Sequence, residues 1–161
     1  MSIWERCNWQ GRGLPASAAA VALSLALGLP ATAQDVADCD WRGAAQAIAE
    51  PWEDNTATFA NGAVRLAVMD VMEPAAAAYH LLILSPPHAE LGERQCRVMS
   101  AQGSFGFAGL SVLGATATYD PATGLTVTLP AKRWSDGDVF TDTALHVTIN
   151  QATGAITGRL D

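Results

Sequence analysis

The sequence predicts a mainly β (or α+β) fold: an antiparallel meander of about seven or eight short strands, shaped as a roll or partly closed barrel, with one short N-terminal helix. Three observations predict it. After Glu53 the apolar residues recur at every second position instead of at helical spacing. Strand-like runs are separated by turn chemistry, Asn61-Gly62 and two copies of Ala-Thr-Gly. No strand–helix–strand alternation follows Glu53, so neighbouring strands are expected to pair antiparallel.

The chain before that region reads as a targeting segment. Arg6 and Arg12 stand against one acid, Glu5, and an apolar run follows from Leu14 to Leu29. Pro30 breaks the run, and Ala31 and Ala33 then form a small-x-small site. This pattern predicts a secretory signal peptide over residues 1–33, cut between Ala33 and Gln34. A membrane-spanning helix needs roughly 20 apolar residues, and this run is shorter and holds Pro15 and Gly28. Lipid attachment at Cys39 is disfavoured, because "QDVAD" precedes it in place of a Leu-led stretch of small residues.

Cutting the first 33 of 161 residues leaves 128, enough for one domain. Residues 34–38 are expected to be a flexible N-terminus, and 39–161 a single disulfide-linked β-rich domain. This part keeps seven basic and fifteen acidic residues. Such an acidic surface repels phosphate backbones and anionic headgroups, so a nucleic-acid partner is not expected, and neither is a stable membrane span after cleavage. Cys39 and Cys96 are the two cysteines left, and an oxidising compartment would join them.

The elements follow in order. Asp40 can cap a helix that Pro51 ends after about ten residues, with Trp41, Ala45 and Ile48 toward a core. "TATFANGAVRLAVMDV" is a hairpin, Asn61-Gly62 supplying two left-handed turn residues. Val64, Leu66 and Val68 share one of its faces, with Arg65, Ala67 and Met69 on the other. Ala78 to Ser85, "AYHLLILS", is an apolar strand stopped by Pro86-Pro87. "RQCRVMSA" puts Cys96, Val98 and Ser100 on one face, so the disulfide would pin the start of the helix to a strand. "GSFGFAGLSVLG" carries glycines that indicate bends. "TATYDPATGLTVTLP" and "LHVTINQATGAITGRL" are two hairpins of like build, each closing on a left-handed Gly, Gly124 or Gly154.

Chemical motifs are sparse. Gly103, Gly106 and Gly109 are not spaced as a dinucleotide fingerprint and read as a bending strand. "WSDGDVFTD" places Asp136, Asp138 and Asp142 where carboxylates around a Gly can ligate a hard cation such as Ca²⁺, although the closing Glu of a calcium loop is missing. His80, His88 and His146 have no zinc-type spacing. Ser111 lacks the flanking glycines of a nucleophile elbow. A triad drawn from distant residues, such as Ser85, His146 and Asp120, is unconstrained by the sequence. Thr116, Thr118, Thr126, Thr128 and Thr148 would form a polar sheet face, and Trp52 and Trp134 are candidate docking anchors.

From "CDWRGAAQAIAEPWEDNTATFANG" through "YHLLILSPP", "RQCRVMS" and "GFAGLSVLGATATYDP" to "TINQATGA", the chain resembles small exported proteins of alphaproteobacterial type that have no assigned function. The resemblance implies export and a compact domain, and nothing about activity. The expected function is a non-enzymatic periplasmic or secreted accessory or binding domain, without a cofactor and with an unknown protein or small-molecule partner. One alternative is a secreted small-barrel protease inhibitor whose "QDVAD" arm is mobile. The other is a hydrolase or metal-dependent enzyme, which His80 or His146 clustered with Asp residues in a pocket would favour.

Overall fold

The computed structural model describes residues 33–135 and 139–161. The predicted signal segment 1–32 therefore lies outside the described residues. Within them the chain forms two five-stranded antiparallel sheets. The first holds β1 (Asp35–Asp38), β2 (Thr56–Phe59), β3 (Val64–Asp70), β4 (Tyr79–His88) and β5 (Arg94–Ser100), in the order β1-β5-β4-β3-β2. The second holds β6 (Gly109–Leu110), β7 (Thr116–Asp120), β8 (Gly124–Ser135), β9 (Val139–Ile149) and β10 (Ile156–Leu160). Its order is β10-β9-β8, with β6 and β7 sharing the far edge of β8.

Alternation decides how the sheets meet. Successive strand residues face opposite sides, so Val64, Leu66 and Val68 of β3 and Leu81 and Ile83 of β4 point together. They pack against Leu125, Val127 and Leu129 of β8 and Leu145, Val147 and Ile149 of β9, all buried in one apolar cluster. Phe107, fully buried, joins them from the connection before β6. Burying each such side chain stabilises the fold by about 1.5–3 kcal/mol before entropy is set against it. The sheets touch along two seams. Gln34 N donates to Gly158 O at 3.0 Å beside β10, and Phe107 N donates to Tyr79 O at 2.6 Å. They do not close into a barrel: the first sheet ends at β2 and the second at β6 and β7.

The expected helix is replaced by something flatter. Residues 41–43 and 45–47 form two single 3₁₀ turns, and one α-turn, α1 (Trp52–Asn55), follows Pro51. The reason is proximity to the sheet. A Cβ at Gly43 would lie 3.3 Å from both Leu82 Cδ1 and Val98 Cγ2. The backbone thus rests on the sheet, where a full helix of about 10–12 Å diameter does not fit. Ala49 N donates to Val68 O at 2.9 Å, a strand-like bond unavailable to a helical residue. Trp41, expected toward the core, is 68 % exposed, and Ala45 is exposed too. Cys39, Ala47 and Ile48 instead cover Ala67, Met69, Leu82 and Val98, a second small core on the outer face of the first sheet.

Two further expectations change. Residues 34–38 are not a free arm: Asp35–Asp38 pairs with β5 from Asp35↔Ser100 to Asp38↔Arg97. Val36 packs on the main core, and Arg97 reaches Asp38 at 2.5 Å. Pro86-Pro87 does not stop β4. The strand runs on to His88, with the register shifting between Ser85↔Gln95 and His88↔Arg94. The prolines, which lack an N–H, occupy this irregular stretch where no ladder donor is required. The two Ala-Thr-Gly turns hold as read, but the connection at Asn61-Gly62 is wider than a two-residue turn: Phe59 pairs with Val64 across four residues, and Ala60 is left-handed as well, at φ 51°. Asn61 and Gly62 are left-handed at φ 54° and 83°, and Gly124 and Gly154 at 107° and 77°. Asp120 Oδ1 accepts from Ala122 N and Thr123 N, and Asn150 Oδ1 accepts from Ala152 N and Thr153 N, so the two Ala-Thr-Gly turns share one build.

Candidate functional site

Three places bring polar side chains together. The first lies under the covering segment. Register places His80 of β4 opposite Ser100 of β5, on the face that Cys96 and Val98 share. His80 Nδ1 is 2.9 Å from Ser100 Oγ, and Arg42 Nη1 donates to the same oxygen at 3.0 Å. Asp40 grips Arg42 with both carboxylate oxygens, at 3.0 Å and 2.9 Å. Because Ser100 Oγ accepts from Arg42, its own proton can go to Nδ1 of a neutral His80. Burial, reinforced by the Arg42 charge and partly offset by Asp40, pushes the His80 pKa down to about 4. The Arg42 hydrogen bonds hold the Asp40 carboxyl below its ordinary range. A serine and an imidazole are in contact here, but each is only 1 % exposed. Among the described residues both are covered, and the row Asp40–Arg42–Ser100–His80 acts as a clamp that fastens the covering segment to the sheet.

The Cys39–Cys96 disulfide fastens the same segment, across a Cα–Cα distance of 5.4 Å. The pairing agrees with the sequence expectation, and the pinned element is a strap of tight turns. A disulfide is compatible with an oxidising compartment. No helix among the described residues is long and apolar enough to cross a membrane.

The second place is the outer face of the second sheet. Thr118, Thr126, Thr148 and Thr157 form one cross-strand row, and Thr116, Thr128, His146 and Arg159 the next. Thr126 Oγ1 and Thr148 Oγ1 are 2.9 Å apart. His146 takes Thr128 Oγ1 on Nδ1 at 3.0 Å and Asp161 Oδ1 on Nε2 at 2.9 Å. Arg159 also donates to Asp161 Oδ1, at 2.7 Å. These two donors hold the Asp161 carboxyl below its ordinary range, His146 contributing more. An alcohol, an imidazole and a carboxylate therefore stand in line. They do so on the outer face of the second sheet, and the alcohol is a hindered secondary one. The trio of Ser85, His146 and Asp120 is not assembled: Ser85 is buried in the first sheet, and Asp120 caps a turn.

Asp136 and Asp138 of the candidate cation loop lie outside the described residues. Asp142 forms an ion pair with Lys132 at 3.2 Å. Among the described residues no group of three or more His, Cys, Asp or Glu side chains is arranged to hold a metal. His88 ends β4 exposed, Ser111 Oγ accepts from Leu113 N, and the Gly103–Gly109 segment carries the bends that lead into β6. Of the two candidate anchors, Trp52 is 50 % exposed on α1 and Trp134 49 % exposed near the end of β8.

The third place is an open cleft of about 740 Å³ at one end of the two sheets. The strap contributes Ile48, Ala49 and Glu50, and β3 with its following loop contributes Asp70 and Met72. The opposite side is Leu110 of β6, Pro130 and Lys132 of β8, and Asp142 of β9. Tyr79 lies where the seam to Phe107 joins the sheets. Asp70 Oδ1 accepts from Met72 N at 2.9 Å, which fixes the turn that carries Met72 to the cleft with a φ of 68°. Polar and charged residues, among them Gln46, Asn55 and Ser111, share the lining about equally with apolar ones, so the cleft is more polar than the usual small-molecule site. Sequence reasoning missed this cleft, because its walls come from six separated stretches of chain. The chain matches no family model, no curated protein and no solved structure.

Proposed function

We propose that this protein is an exported, non-enzymatic binding domain whose cleft between strap and sheets holds a small organic molecule. The observation that carries the reading is the cleft itself. Its volume of about 740 Å³ falls in the range of ligand pockets, roughly 300–1,000 Å³. Its walls mix Ile48, Met72, Leu110 and Pro130 with polar and charged residues that include Gln46, Glu50, Asn55 and Asp70. The strap that forms one wall is held by a disulfide and by the Arg42 clamp, so that wall is largely preformed. Export is supported by the signal pattern at the start of the sequence and by the Cys39–Cys96 bond.

The inhibitor alternative relies on a free "QDVAD" arm, and Asp35–Asp38 is instead paired to β5. The hydrolase alternative asks for a histidine and acids in one pocket. The His80 and His146 clusters both lie apart from the cleft-lining residues.

The test is native mass spectrometry of protein recovered from its own cell envelope, paired with ligand-detected NMR against a mixed fragment set. Ala108→Trp, which puts a bulky ring at the cleft wall, serves as the blocked control. A retained small molecule, or fragments that bind the wild type and not the control, is the expected result. Retention that Ala108→Trp leaves unchanged, or no binding by any fragment, would overturn the reading.

A further inference from the structure

We infer that the cleft takes an amphipathic organic cation: an ammonium head on an apolar or aromatic body. The inference rests on the reading of the cleft as a ligand site and names the class of ligand. Charge balance is the first support. Three carboxylates, Glu50, Asp70 and Asp142, line the cleft against one cation, Lys132. Lys132 is already committed to Asp142 at 3.2 Å. Glu50 and Asp70 have no ion-pair partner among the described residues. Two negative charges without an ion-pair partner thus share the lining with Ile48, Ala49 and Leu110. A carboxylate-bearing ligand would meet repulsion there, and a neutral one would leave the field unanswered.

The second support is independent of the acids. Lys132 and Asp142 are cross-strand partners, and the next pair outward on the same face is Trp134↔Phe140. Strand geometry sets that row about 7 Å beyond the Lys132–Asp142 pair. Trp134 is 49 % and Phe140 53 % exposed. Aromatic faces attract cations through their quadrupole, by about 0.5–1 kcal/mol when exposed and more when desolvated. The cleft lining thus holds two carboxylates without an ion-pair partner among the described residues, and two exposed aromatic side chains stand one row beyond its Lys132–Asp142 edge, outside the lining itself. That combination complements an ammonium group, whereas an apolar platform alone would have no preference of sign. The sequence's net charge of −7 adds long-range attraction of the same sense.

The experiment compares three probes of one shape and length with different charge: 4-phenylbutylamine, 4-phenylbutanol and 4-phenylbutyrate. Binding is followed by NMR shift perturbation and calorimetry at low and moderate salt. The expected order is amine, alcohol, butyrate, with the amine favoured over the butyrate by about tenfold or more, as two nearby charges allow. Asp70→Asn keeps the acceptor for Met72 N, and it should weaken the amine by about threefold or more while leaving the alcohol unchanged. Glu50→Gln should act alike. Trp134→Ala should weaken the amine by about two- to fivefold. Ala108→Trp should abolish binding of every probe that enters the cleft.

Alcohol or butyrate binding as tightly as the amine, and blocked by Ala108→Trp, would overturn the cation inference while upholding the cleft as a ligand site. Amine binding that Ala108→Trp leaves intact would overturn the placement in the cleft. Failure of all three probes would overturn the inference alone if the envelope-derived protein carries a cleft-bound molecule, and both readings if it carries none.

Discussion

His80 Nδ1 lies 2.9 Å from Ser100 Oγ, and both side chains are 1 % exposed beneath Arg42. A histidine held neutral in this way links folding to pH. Its pKa is about 4 in the folded protein, against an ordinary value of 6.5. Between those values the unfolded chain binds a proton that the folded chain does not. Stability is therefore complete above pH 6.5 and is lost as pH falls toward 4, by at most about 3 kcal/mol. Urea denaturation of the wild type and of His80→Gln at pH 7, 5.5 and 4.5 measures this. The variant should be weaker at pH 7 and lose less on acidification. Parallel pH profiles for the two proteins would refute the linkage. Asp40, whose pKa is lowered by Arg42, adds a loss of the same direction at pH values below its ordinary 3.8.

The Cys39–Cys96 bond closes a loop with a sequence separation of 57. In the chain-entropy model such a loop is worth roughly 4 kcal/mol. The Cys39→Ser, Cys96→Ser double variant should lower the denaturation midpoint accordingly. The strap covering Ala67, Met69, Leu82 and Val98 should also become the first region to exchange its amide hydrogens. Unchanged exchange in β3 and β4 would show that the clamp alone suffices to hold the strap.

Glycines at positive φ should differ sharply in their tolerance. Gly124 has a φ of +107°, and a Cβ there would collide with Ile149 O and lie 2.9 Å from Asn150 Cα. Both obstacles are backbone, so Gly124→Ala should cost about 3 kcal/mol or more. At Gly114, with a φ of +77°, the nearest atom is Pro130 Cγ at 3.9 Å. Only the left-handed conformation resists there, and Gly114→Ala should cost about 1 kcal/mol. Thermal denaturation separates the two. Equal losses would mean that sterics at the Asp120–Gly124 turn have been overestimated.

Two buried serines should respond in opposite ways. Ser85 Oγ finds no hydrogen-bond partner among the described residues. Ser85→Ala should be neutral or stabilise by up to about 1 kcal/mol, because it removes an unpaired buried hydroxyl. Ser100 Oγ is shared by Arg42 and His80. Ser100→Ala leaves both partners unsatisfied and should cost about 2 kcal/mol. A stabilised Ser100→Ala would sink the account of the clamp.

Much of the fold was legible because it rests on local rules. Val64, Leu66 and Val68 alternate with Arg65, Ala67 and Met69, and they do enter different surroundings, one set between the sheets and the other under the strap. The apolar Ala67 and Met69 on the second face were a sign that this face is covered as well. Asn61-Gly62 and the paired Ala-Thr-Gly turns announced themselves because positive φ selects for Gly and Asn. The face shared by Cys96, Val98 and Ser100 was readable from alternation alone.

The rest depended on which surfaces meet, and alternation does not encode that. Period two says which side of a strand is apolar, but not that the strands of the described residues divide into two sheets packed face to face. The stretch after Asp40 has helical composition, yet Gly43 lets its backbone lie on Leu82 and Val98, and that contact outweighs local propensity. Asp35–Asp38 carries no strand signal of its own and is ordered by the exposed edge of β5. The cleft is the extreme case. Glu50, Asp70, Leu110 and Lys132 are distant along the chain and meet only after the strap is pinned and the sheets have stacked. The sequence by itself determined the antiparallel class, the turns, the disulfide partners and the acidic charge, all set by local backbone chemistry or composition. Tertiary structure alone decided the strap, the buried histidine and the cleft, because each exists only where surfaces remote in sequence are packed together.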